Sequence, residues 1–560
     1  MFKKNQQHLQ AALISNINEL PEKLRQRLDS SWAGVFRREF FMRIQEEPFA
    51  VLFSDLPSRP NTPVNVLVGL ETLKAGFGWS DEELYDHFCY DVQVRYALGY
   101  DQLGEGHFEL RTLYNFRRRL SQYNQEHGVN LLGQAFEDIT DQQVIALQVR
   151  TGIQRMDSTQ VASNILDSSR LQLAIDALRR VQRMLSAADQ ARYADWLAPY
   201  LEEAGRQARY RIKDKAEIQK YLQRIGEVIC KLLDELRSDY AKDPFFPVLE
   251  RFFFENYDLS QAEVLPKENK EISSGSLQSL DDLEASYRKK GNQFYKGYVA
   301  NVTETCDPEN EVQLITHVQV APNNTEDSDL MIEATPNLKE RTDLETLYTD
   351  GLFGSSNADE VLIAQNVEQV QTKMRGKEPD PDKFGLADFD IQHDEKGKPV
   401  TITCPAGETI PVEPGRTTGY LARFNAMVCE RCPYHLENRC RAKPQKRIPC
   451  FSLSFTQQQV NWARRRRRHL AFMQEEVNLR VAIEATIRET KHPFREGKLP
   501  VRGLFRITCM MIASAAMTNV RHIYRHSLEK DRKANKEAFC AAQLSRIFRS
   551  WAFYQTCFSF

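Results

Sequence analysis

Apolar and polar positions recur along the chain with two different periods, and the period changes several times. From about residue 30 to 130 the apolar residues recur every three or four positions, which is typical of amphipathic helices. Ser80 and Glu83 lie three residues apart, as in a capping box, and predict a helix that begins directly after Ser80. We therefore expect an all-helical N-terminal domain over residues 1–135.

One helix of this domain has a strongly basic end. The stretch HFELRTLYNFRRRL predicts an amphipathic helix that finishes with Arg117, Arg118 and Arg119. Short helices joined by tight turns, with a basic end, suit a DNA-binding domain. A plain helical bundle with a solvated charged face explains the same pattern equally well. The pattern alone leaves both interpretations open.

Strand-like patterns follow the helical domain and return later in the chain. IQRMDSTQV, around Asp157, reads as an interior strand because β-branched and apolar residues crowd around one aspartate. NQFYKGYVANVTET and EVQLITHVQVAP predict an antiparallel pair, followed by a helix, the strand LETLYTD, a glycine turn, a helix and the strand VEQVQT. Three antiparallel strands followed by strand and helix alternation predict a mixed α/β fold rather than a doubly wound one.

The remaining segments complete the predicted domain organisation. Residues 166–265 have a helical period, and residues 376–460 lack one and are rich in Pro, Gly and Cys. The predicted parts are a helical DNA-binding domain at 1–135, the first core strands at 136–165, a helical insertion and linker at 166–290, the continued core at 291–375, a Cys-rich insertion at 376–460, C-terminal core helices at 461–530 and a tail at 531–560.

Charge is distributed unevenly although the formal net charge is only −2. Residues 441–525 contain 18 Lys and Arg against 5 Asp and Glu, an asymmetry expected of a polyanion-binding protein. The N-terminus has no apolar signal region, and the longest apolar run, ITCMMIASAAMTNV, has 14 residues and is too short to span a bilayer. Eleven cysteines with only a local cluster fit a reducing compartment. We expect a cytoplasmic protein without a membrane partner.

Two aspartates stand at strand positions where carboxylates are unusual. Asp157 lies within its predicted strand, where an unpaired buried carboxylate is costly. Asp350 ends another predicted strand, directly before Gly351, where the backbone can turn sharply. If neighbouring strands carry them, the two carboxylates converge on a shared cation. Taken alone, an Asp before Gly is most often a turn former.

A third acidic candidate lies in NLRVAIEATIRETKH. At 100° per residue, Arg480, Glu484 and Lys491 share one narrow stripe of a helix. An ordinary ion pair four residues apart explains the first two positions as well, and would contribute only about 0.3–0.5 kcal/mol. Three other acids compete with Glu484 as the third carboxylate, namely Glu475, Glu476 and Glu489.

These three segments together resemble a known family. MDSTQV, then YTDG before a helix, then Arg-x3-Glu-x6-Lys resembles the catalytic core of bacterial insertion-sequence transposases of the DDE class. The resemblance implies a ribonuclease-H-like core in which Asp157, Asp350 and Glu484 are the catalytic, metal-binding acids. One subgroup carries a tyrosine three residues before the Arg, where this chain has Val477.

The resemblance also implies an activity, cofactors and partners. The expected enzyme binds the terminal inverted repeats of an insertion sequence and catalyses metal-dependent DNA cleavage and strand transfer. It would use two Mg²⁺ or Mn²⁺ ions and act on double-stranded DNA as a homodimer. Two alternatives remain: a DNA-binding derivative that has lost catalysis, and a metal-dependent endonuclease without strand transfer.

Two further groups of residues are candidates for binding. Phosphate contacts are expected from Arg480 and Lys491, and from the run Arg464, Arg465, Arg466, Arg467 and Arg468, which otherwise reads as a solvated helix face. A second group consists of candidate ligands for one structural Zn²⁺, namely Cys404, Cys429, Cys432 and Cys440. His435 is a substitute ligand, and Cys450 is expected not to bind the metal. The alternative is a set of reduced cysteines in a loop-rich segment.

Overall fold

The computed structural model describes residues 1–560 except 10–14, 55, 57–58, 203–206, 208–211, 213, 261–262, 377–379, 416–418, 447, 476 and 558–560. The side chains of residues 260, 475 and 538–557 are also outside the described set. Short 3₁₀ turns lie at Gln7–Leu9, Phe41–Arg43, Glu47–Leu52, Gly351–Phe353, Leu386–Asp388 and Arg495–Gly497.

The N-terminal part is helical, as its apolar period predicts. Its helices are α1 (Glu22–Asp29), α2 (Trp32–Glu39), α3 (Val64–Phe77), α4 (Asp81–Tyr90), α5 (Val92–Ala97), α6 (Arg111–His127) and α7 (Leu131–Ala146). The predicted capping box is confirmed, because the Ser80 hydroxyl accepts from the Glu83 N–H and the Glu83 carboxylate accepts from the Ser80 N–H.

The prediction of several strands over residues 136–165 is wrong. Helix α7 continues to Ala146, and the only strand in this stretch is β1 (Ile153–Val161). Leu132, Phe136 and Ile139 are buried, so the apolar residues of α7 lie on one helical face and the helix persists.

A helical segment follows β1 and has its own hydrophobic core. It comprises α8 (Arg170–Met184), α9 (Ala187–Arg192), α10 (Ala194–Leu201), α11 (Lys215–Tyr240) and α12 (Phe246–Asn256). Its core includes Leu178, Ile229 and Phe252, none of which is exposed. A short hairpin follows these helices and packs on the same core, β2 (Tyr257–Ser260) with β3 (Glu263–Pro266). The helical period predicted over residues 166–265 did not indicate these two strands.

The first large sheet takes β1 and the strands after the helical segment. The elements in order are β4 (Ser286–Lys290), β5 (Gln293–Thr305), β6 (Ile315–Pro322), α13 (Asp327–Arg341), β7 (Thr346–Thr349), α14 (Ser356–Ala364) and β8 (Glu368–Gln371). The strand order is β4-β5-β1-β7-β8, and β6 also pairs with β5. β1 runs antiparallel to β5 and parallel to β7. The mixed α/β class is confirmed.

A second sheet contains the clustered cysteines. It is built from β9 (Asp390–His393), β10 (Pro399–Thr403), β11 (Thr409–Pro414), β12 (Tyr420–Asn425), the short helices α15 (Ala426–Glu430) and α16 (Pro433–Leu436), β13 (Lys443–Pro444) and β14 (Cys450–Phe455). Neighbouring strands are all antiparallel. Ile402, Ala422 and Phe424 form part of its core together with α17 (Gln457–Glu475).

Two helices complete the described chain, α18 (Ile483–Lys491) and α19 (Leu504–Cys557). Asn519 of α19 accepts the Ile315 N–H at 2.7 Å and donates to the Ile315 carbonyl at 2.9 Å, which fixes α19 to strand β6. The expected separate tail at 531–560 is wrong for the described backbone, because α19 continues through it to Cys557. Within the described ranges, no helix combines the length and apolar character needed to cross a bilayer.

The two faces of β1 contact different helices. Met156 faces a cluster that contains Met331 and Ala334 of α13. Residues two apart along a strand share a face, so Arg155 and Asp157 lie together on the opposite side. Arg155 donates to the Leu479 carbonyl there, in the turn before α18. This α18-facing side of the sheet is where the candidate site is built.

Candidate active site

Asp157 is a buried carboxylate with two partners. Asp157 is only 8% exposed. Arg480 Nη2 donates to Asp157 Oδ2 at 2.7 Å, and the Ser158 N–H donates to Oδ1 at 2.9 Å. The guanidinium therefore offsets part of the cost of burying this carboxylate.

Two parallel strands carry or precede the two aspartates. Arg155 of β1 pairs with Tyr348 of β7, and Asp157 and Asp350 each lie two residues beyond this pair. Adjacent strands lie about 4.8 Å apart, and the charge of Asp350 acts on Asp157. Asp350 Oδ1 accepts the Leu352 N–H at 2.8 Å. A Cβ on Gly351 would stand 2.7 Å from the Lys373 carbonyl oxygen, so only glycine fits this close approach.

Glu484 lies in the first turn of α18, with its side chain 60% exposed. Arg480 Nη1 is 3.7 Å from Glu484 Oε1, so one guanidinium contacts both Asp157 and Glu484. The expected helical stripe is wrong in one respect, since α18 begins at Ile483 and Arg480 lies in the preceding turn. The turn, rather than a helical face, directs Arg480 between the two acids.

The electrostatics of Asp157 show that the acids act on each other. Burial raises the pKa of Asp157 to about 6; the charge of Arg480 opposes this, and the charges of Asp350 and Glu484 both add to it. Like charges near one carboxylate disfavour its ionised form. The three acids therefore form an electrostatic group around Asp157.

The competing third acids have other partners or lie outside the described set. Glu489 is held by His522 at 3.5 Å and by Arg525 at 2.6 Å. Burial raises the pKa of Glu489, but its hydrogen bonds and electrostatic interactions with His522 and Arg525 prevail and bring it to about 2. The side chain of Glu475 and the whole of Glu476 lie outside the described residues.

The donor set fits a hard divalent cation by its chemistry. Asp157, Asp350 and Glu484 offer carboxylate oxygens, which Mg²⁺ and Mn²⁺ prefer over thiolates or imidazoles. Among the residues that the structure describes, no three His, Cys, Asp or Glu side chains are placed to ligate one ion. Arg480 lies between two of the three acids and supplies the compensating positive charge.

A second buried ion pair fixes the position of Arg480, and the sequence analysis did not identify it. Arg155 donates twice to Glu304 Oε2, at 2.8 and 2.6 Å, and donates to the Leu479 carbonyl at 2.8 Å. The Thr486 hydroxyl of α18 donates to Glu304 at 2.9 Å. Glu304 is 1% exposed and thereby joins β1, β5 and α18. The signal available for Glu304, as for Asp157, was an acidic residue within a predicted strand.

Asp327 is a further buried acid that the sequence analysis did not identify. It begins α13, is 1% exposed, and lies 3.4 Å from Arg288 Nη1. Burial raises its pKa; Arg288 and a hydrogen bond from Ser158 oppose the shift, and the charge of Asp350 adds to it. Asp327 thus acts on the candidate site from the opposite face of the sheet, through the residue next to Asp157.

Lys491 ends α18 and turns back towards β1. Its ammonium donates to Thr159 Oγ1 at 3.1 Å and to the Gln160 carbonyl at 2.7 Å. Burial lowers the pKa of Lys491. The side chain therefore ties the end of α18 to the strand that carries Asp157.

The arginine run on α17 divides into paired and unpaired side chains. Arg465 lies 3.3 Å from Asp359, Arg467 2.7 Å from Asp390, and Arg468 2.9 Å from Glu368. Arg466 stacks over the Trp462 ring at 5.7 Å, and Arg464 is exposed. Neither of these two forms an ion pair with the described residues. Much of the run thus joins α17 to the neighbouring sheets, and its role on DNA stays a prediction.

The four clustered cysteines line one small cavity in the second sheet. Cys404 follows β10, Cys429 lies in α15 next to its last residue, Cys432 directly precedes α16, and Cys440 lies four residues after it. The Cys432 N–H donates to the Cys429 carbonyl at 3.2 Å, forming a tight turn between them. Burial raises the pKa of Cys429 to about 12, and the other three cysteines add to the shift. His435 lines the same cavity.

Comparison with known proteins finds a family match in the C-terminal part of the chain. Residues 403–524 match the family model of the transposase DDE domain, which confirms the resemblance to insertion-sequence DDE transposases. The matched range contains Arg480, Glu484 and Lys491, and it begins after Asp157 and Asp350. No curated protein and no solved structure matches the chain significantly.

Proposed function

We propose that this protein is a DNA transposase that cleaves the ends of an insertion sequence and joins them to target DNA. The observation that supports this most is the parallel pairing of β1 with β7 up to Arg155 and Tyr348, two residues before Asp157 and Asp350, together with the action of the Asp350 charge on Asp157. The match to the transposase DDE domain supplies the reaction class and supports DNA as the partner. The order β6, β5, β1, β7, β8, with β1 at the centre, supports a ribonuclease-H-like core.

Asp157, Asp350 and Glu484 are the residues that would hold two Mg²⁺ or Mn²⁺ ions. Such ions, when bound, activate the attacking oxygen and stabilise the leaving one during displacement at phosphorus. The chain itself would position the acids: β1 carries Asp157, Asp350 directly follows β7, and the Arg155–Glu304 pair holds the turn from which Arg480 and α18 depart. Arg480 is 13% exposed and would neutralise phosphate charge at the same place.

The enzyme would bind the terminal inverted repeats as a homodimer. Two ends must be held together for coordinated cutting and joining, and a symmetric dimer supplies two equivalent sites. Lys491, Arg464 and Arg466 add positive charge for the DNA backbone, because Lys491 lies along β1 and the other two make no ion pair with described residues.

Cleavage of a duplex that carries the flanking inverted repeats tests this proposal. Wild-type protein with Mg²⁺ should cut the duplex and yield joined products with a target plasmid. Asp350→Asn should bind the duplex and leave it intact, whereas Asp382→Asn, an exposed aspartate of another segment, should behave as wild type. Cutting without joined products would instead indicate an endonuclease, and binding without cutting by the wild type would indicate an inactive derivative. Cleavage by Asp350→Asn would contradict the site.

We also propose one structural Zn²⁺ at Cys404, Cys429, Cys432 and Cys440. Four cysteines line one cavity, and a cation that prefers sulfur ligands, such as Zn²⁺, would match this set of side chains. Metal analysis of the purified protein should find one zinc per chain. Cys429→Ser should lose it, and Cys450→Ser should retain it, since Cys450 does not line the cavity. Equal zinc content in both variants would exclude these ligands.

A further inference from the structure

A cavity outside the candidate active site lies between the N-terminal helices and α19. It encloses about 450 Å³ and is walled by α3, α6, α7, the segment after β1 and the start of α19. Ligand pockets generally fall between about 300 and 1,000 Å³. Its inner wall is apolar, with Leu120, Phe505 and Met510 among the lining residues.

The acids of this pocket are already neutralised within the protein. Arg117 lies 2.7 Å from Glu71 and 2.7 Å from Asp81, and Lys74 lies 2.6 Å from Asp81. Burial raises the pKa of Asp81, but the hydrogen bonds and charges of Arg117 and Lys74 lower it below its ordinary value. Both carboxylates are therefore paired with cations of the protein, and the floor of the pocket offers no unpaired acid among its lining residues.

Three more arginines surround the mouth. Arg118 and Arg506 are exposed, and the guanidinium group of neither makes an ion pair or hydrogen bond with the part of the chain that the structure describes. Arg502 donates to the Asn164 carbonyl and lies 3.5 Å from Asp281. Tyr114, 46% exposed, lies beside them. Unpaired guanidinium groups around an apolar wall favour an anionic ligand that also has an apolar surface.

The pocket is connected directly to the strand that carries Asp157. The Asn164 N–H donates to the Val501 carbonyl at 2.9 Å, and the Leu499 N–H donates to the Ala162 carbonyl at 2.9 Å. Seven residues of extended chain separate Asp157 from Asn164, which is at most about 24 Å. DNA rises about 3.4 Å per base pair, so a duplex end held at Asp157 reaches the pocket within roughly seven base pairs.

We propose that this pocket is a DNA-backbone subsite, which takes one phosphate of the bound duplex on the arginines of its mouth. Arg118 and Arg506 contact the phosphate, and the adjoining deoxyribose packs against Tyr114 and Phe505. The subsite joins the N-terminal domain and the catalytic core to one stretch of DNA. The inference rests on the proposed function in taking DNA as the ligand, but it requires no cleavage.

Fluorescence anisotropy with a labelled duplex of the DNA that flanks the coding region tests the subsite. Arg118→Ala/Arg506→Ala should weaken binding about tenfold and reduce the slope of log affinity against log salt by about one, as expected for one lost phosphate contact. Arg118→Lys/Arg506→Lys should recover most of the slope, because the charge remains. Arg192→Ala/Arg237→Ala removes the same charge from exposed, ion-paired positions of the helical segment and should leave both quantities unchanged.

Two results would overturn the subsite. They are wild-type affinity and slope in the Arg118/Arg506 alanine variant, and an equal loss in the Arg192/Arg237 control. If cleavage is intact while the alanine variant binds normally, only the subsite fails; if the wild type neither binds nor cuts the duplex, the proposed function fails.

Discussion

Two buried aspartates of this chain share nearly the same local chemistry. Asp157 lies 2.7 Å from Arg480, and Asp359 of α14 lies 3.3 Å from Arg465. Their side chains are 11% and 9% exposed, and both arginines are 13% exposed. Burial raises the pKa of each aspartate to about 6. A buried carboxylate, a guanidinium and a raised pKa therefore do not by themselves distinguish a catalytic acid from a structural one.

The difference between the two sites lies in what surrounds the pair. Two further candidate acids, Asp350 and Glu484, act on Asp157. Around Asp359, Arg465 and Arg464 oppose the shift, and only Glu360 adds to it. Cations thus close off Asp359, whereas acids converge on Asp157. The like charges of Asp350 and Glu484 around Asp157 are the feature on which the proposed site rests.

The largest expected effect is on catalysis. Asp157→Asn should lower DNA cleavage on the order of 1000-fold, because loss of a metal-binding carboxylate removes several kcal/mol of transition-state stabilisation and each 1.36 kcal/mol is tenfold in rate. The Asp359→Asn variant should cleave DNA at about the wild-type rate. Initial rates of duplex cleavage at saturating Mg²⁺ measure both. Comparable losses in the two variants would mean that the surrounding charges do not separate the sites.

The second expected effect distinguishes the third acid. Glu484→Gln should lose cleavage by about 100-fold or more with an unchanged midpoint of thermal unfolding, since its side chain is 60% exposed and its contact with Arg480 is 3.7 Å. Glu489→Gln should keep cleavage and unfold at lower temperature, because it leaves His522 and Arg525 without their shared partner. The reverse pattern would assign the third acid to Glu489.

The third expected effect concerns the support beneath Arg480. Glu304→Gln should lower the free energy of unfolding by about 3 kcal/mol, since it leaves the buried Arg155 charge uncompensated. Cleavage should also fall, because Arg155 holds the turn that directs Arg480. Glu309→Gln, whose partner is the exposed Arg150, should change stability by less than about 0.5 kcal/mol. Urea unfolding of the three proteins provides the comparison.

Much of the architecture could be predicted because periods and turns are local properties. The capping box at Ser80, the strand that precedes Gly351 and the order of core strands and helices are all recorded within short windows of sequence. The hairpin after α12 and the end of α7 were missed. In both, packing against neighbouring elements decides the conformation, and the tertiary contact overrides the local pattern.

The sequence indicates candidate site residues one by one but not their arrangement. Asp157 and Asp350 stood out as carboxylates in apolar strands, yet their proximity depends on the register of β1 with β7, which no local window contains. Arg480 was expected on a helix, but its contact with Asp157 comes from the turn that Arg155 fixes. Glu304 binds Arg155 and so supports that turn. It lies on β5, far from Arg155 in the sequence, and the pairing of β1 with β5 brings the two residues together.

The smallest expected effect is a pH dependence of stability at Asp359. Its pKa is raised from the ordinary value of 3.8 to about 6 on folding, so the folded state binds the proton more tightly than the unfolded state. The resulting stabilisation is fully present below pH 3.8 and is lost as the pH rises through about 6. It amounts to about 1–3 kcal/mol at most, at 1.36 kcal/mol per unit of pKa.

Urea unfolding of wild type and Asp359→Asn between pH 4 and pH 7 isolates this contribution, because all other titrating groups are common to both proteins. The wild type should lose more stability than the variant as the pH rises across this range. Parallel curves would show that Arg464 and Arg465 fully compensate the charge of Asp359. The ionised form of Asp359 would then be fully stabilised by its two arginines. The ionised form of Asp157 would not be, because the charges of Asp350 and Glu484 destabilise it.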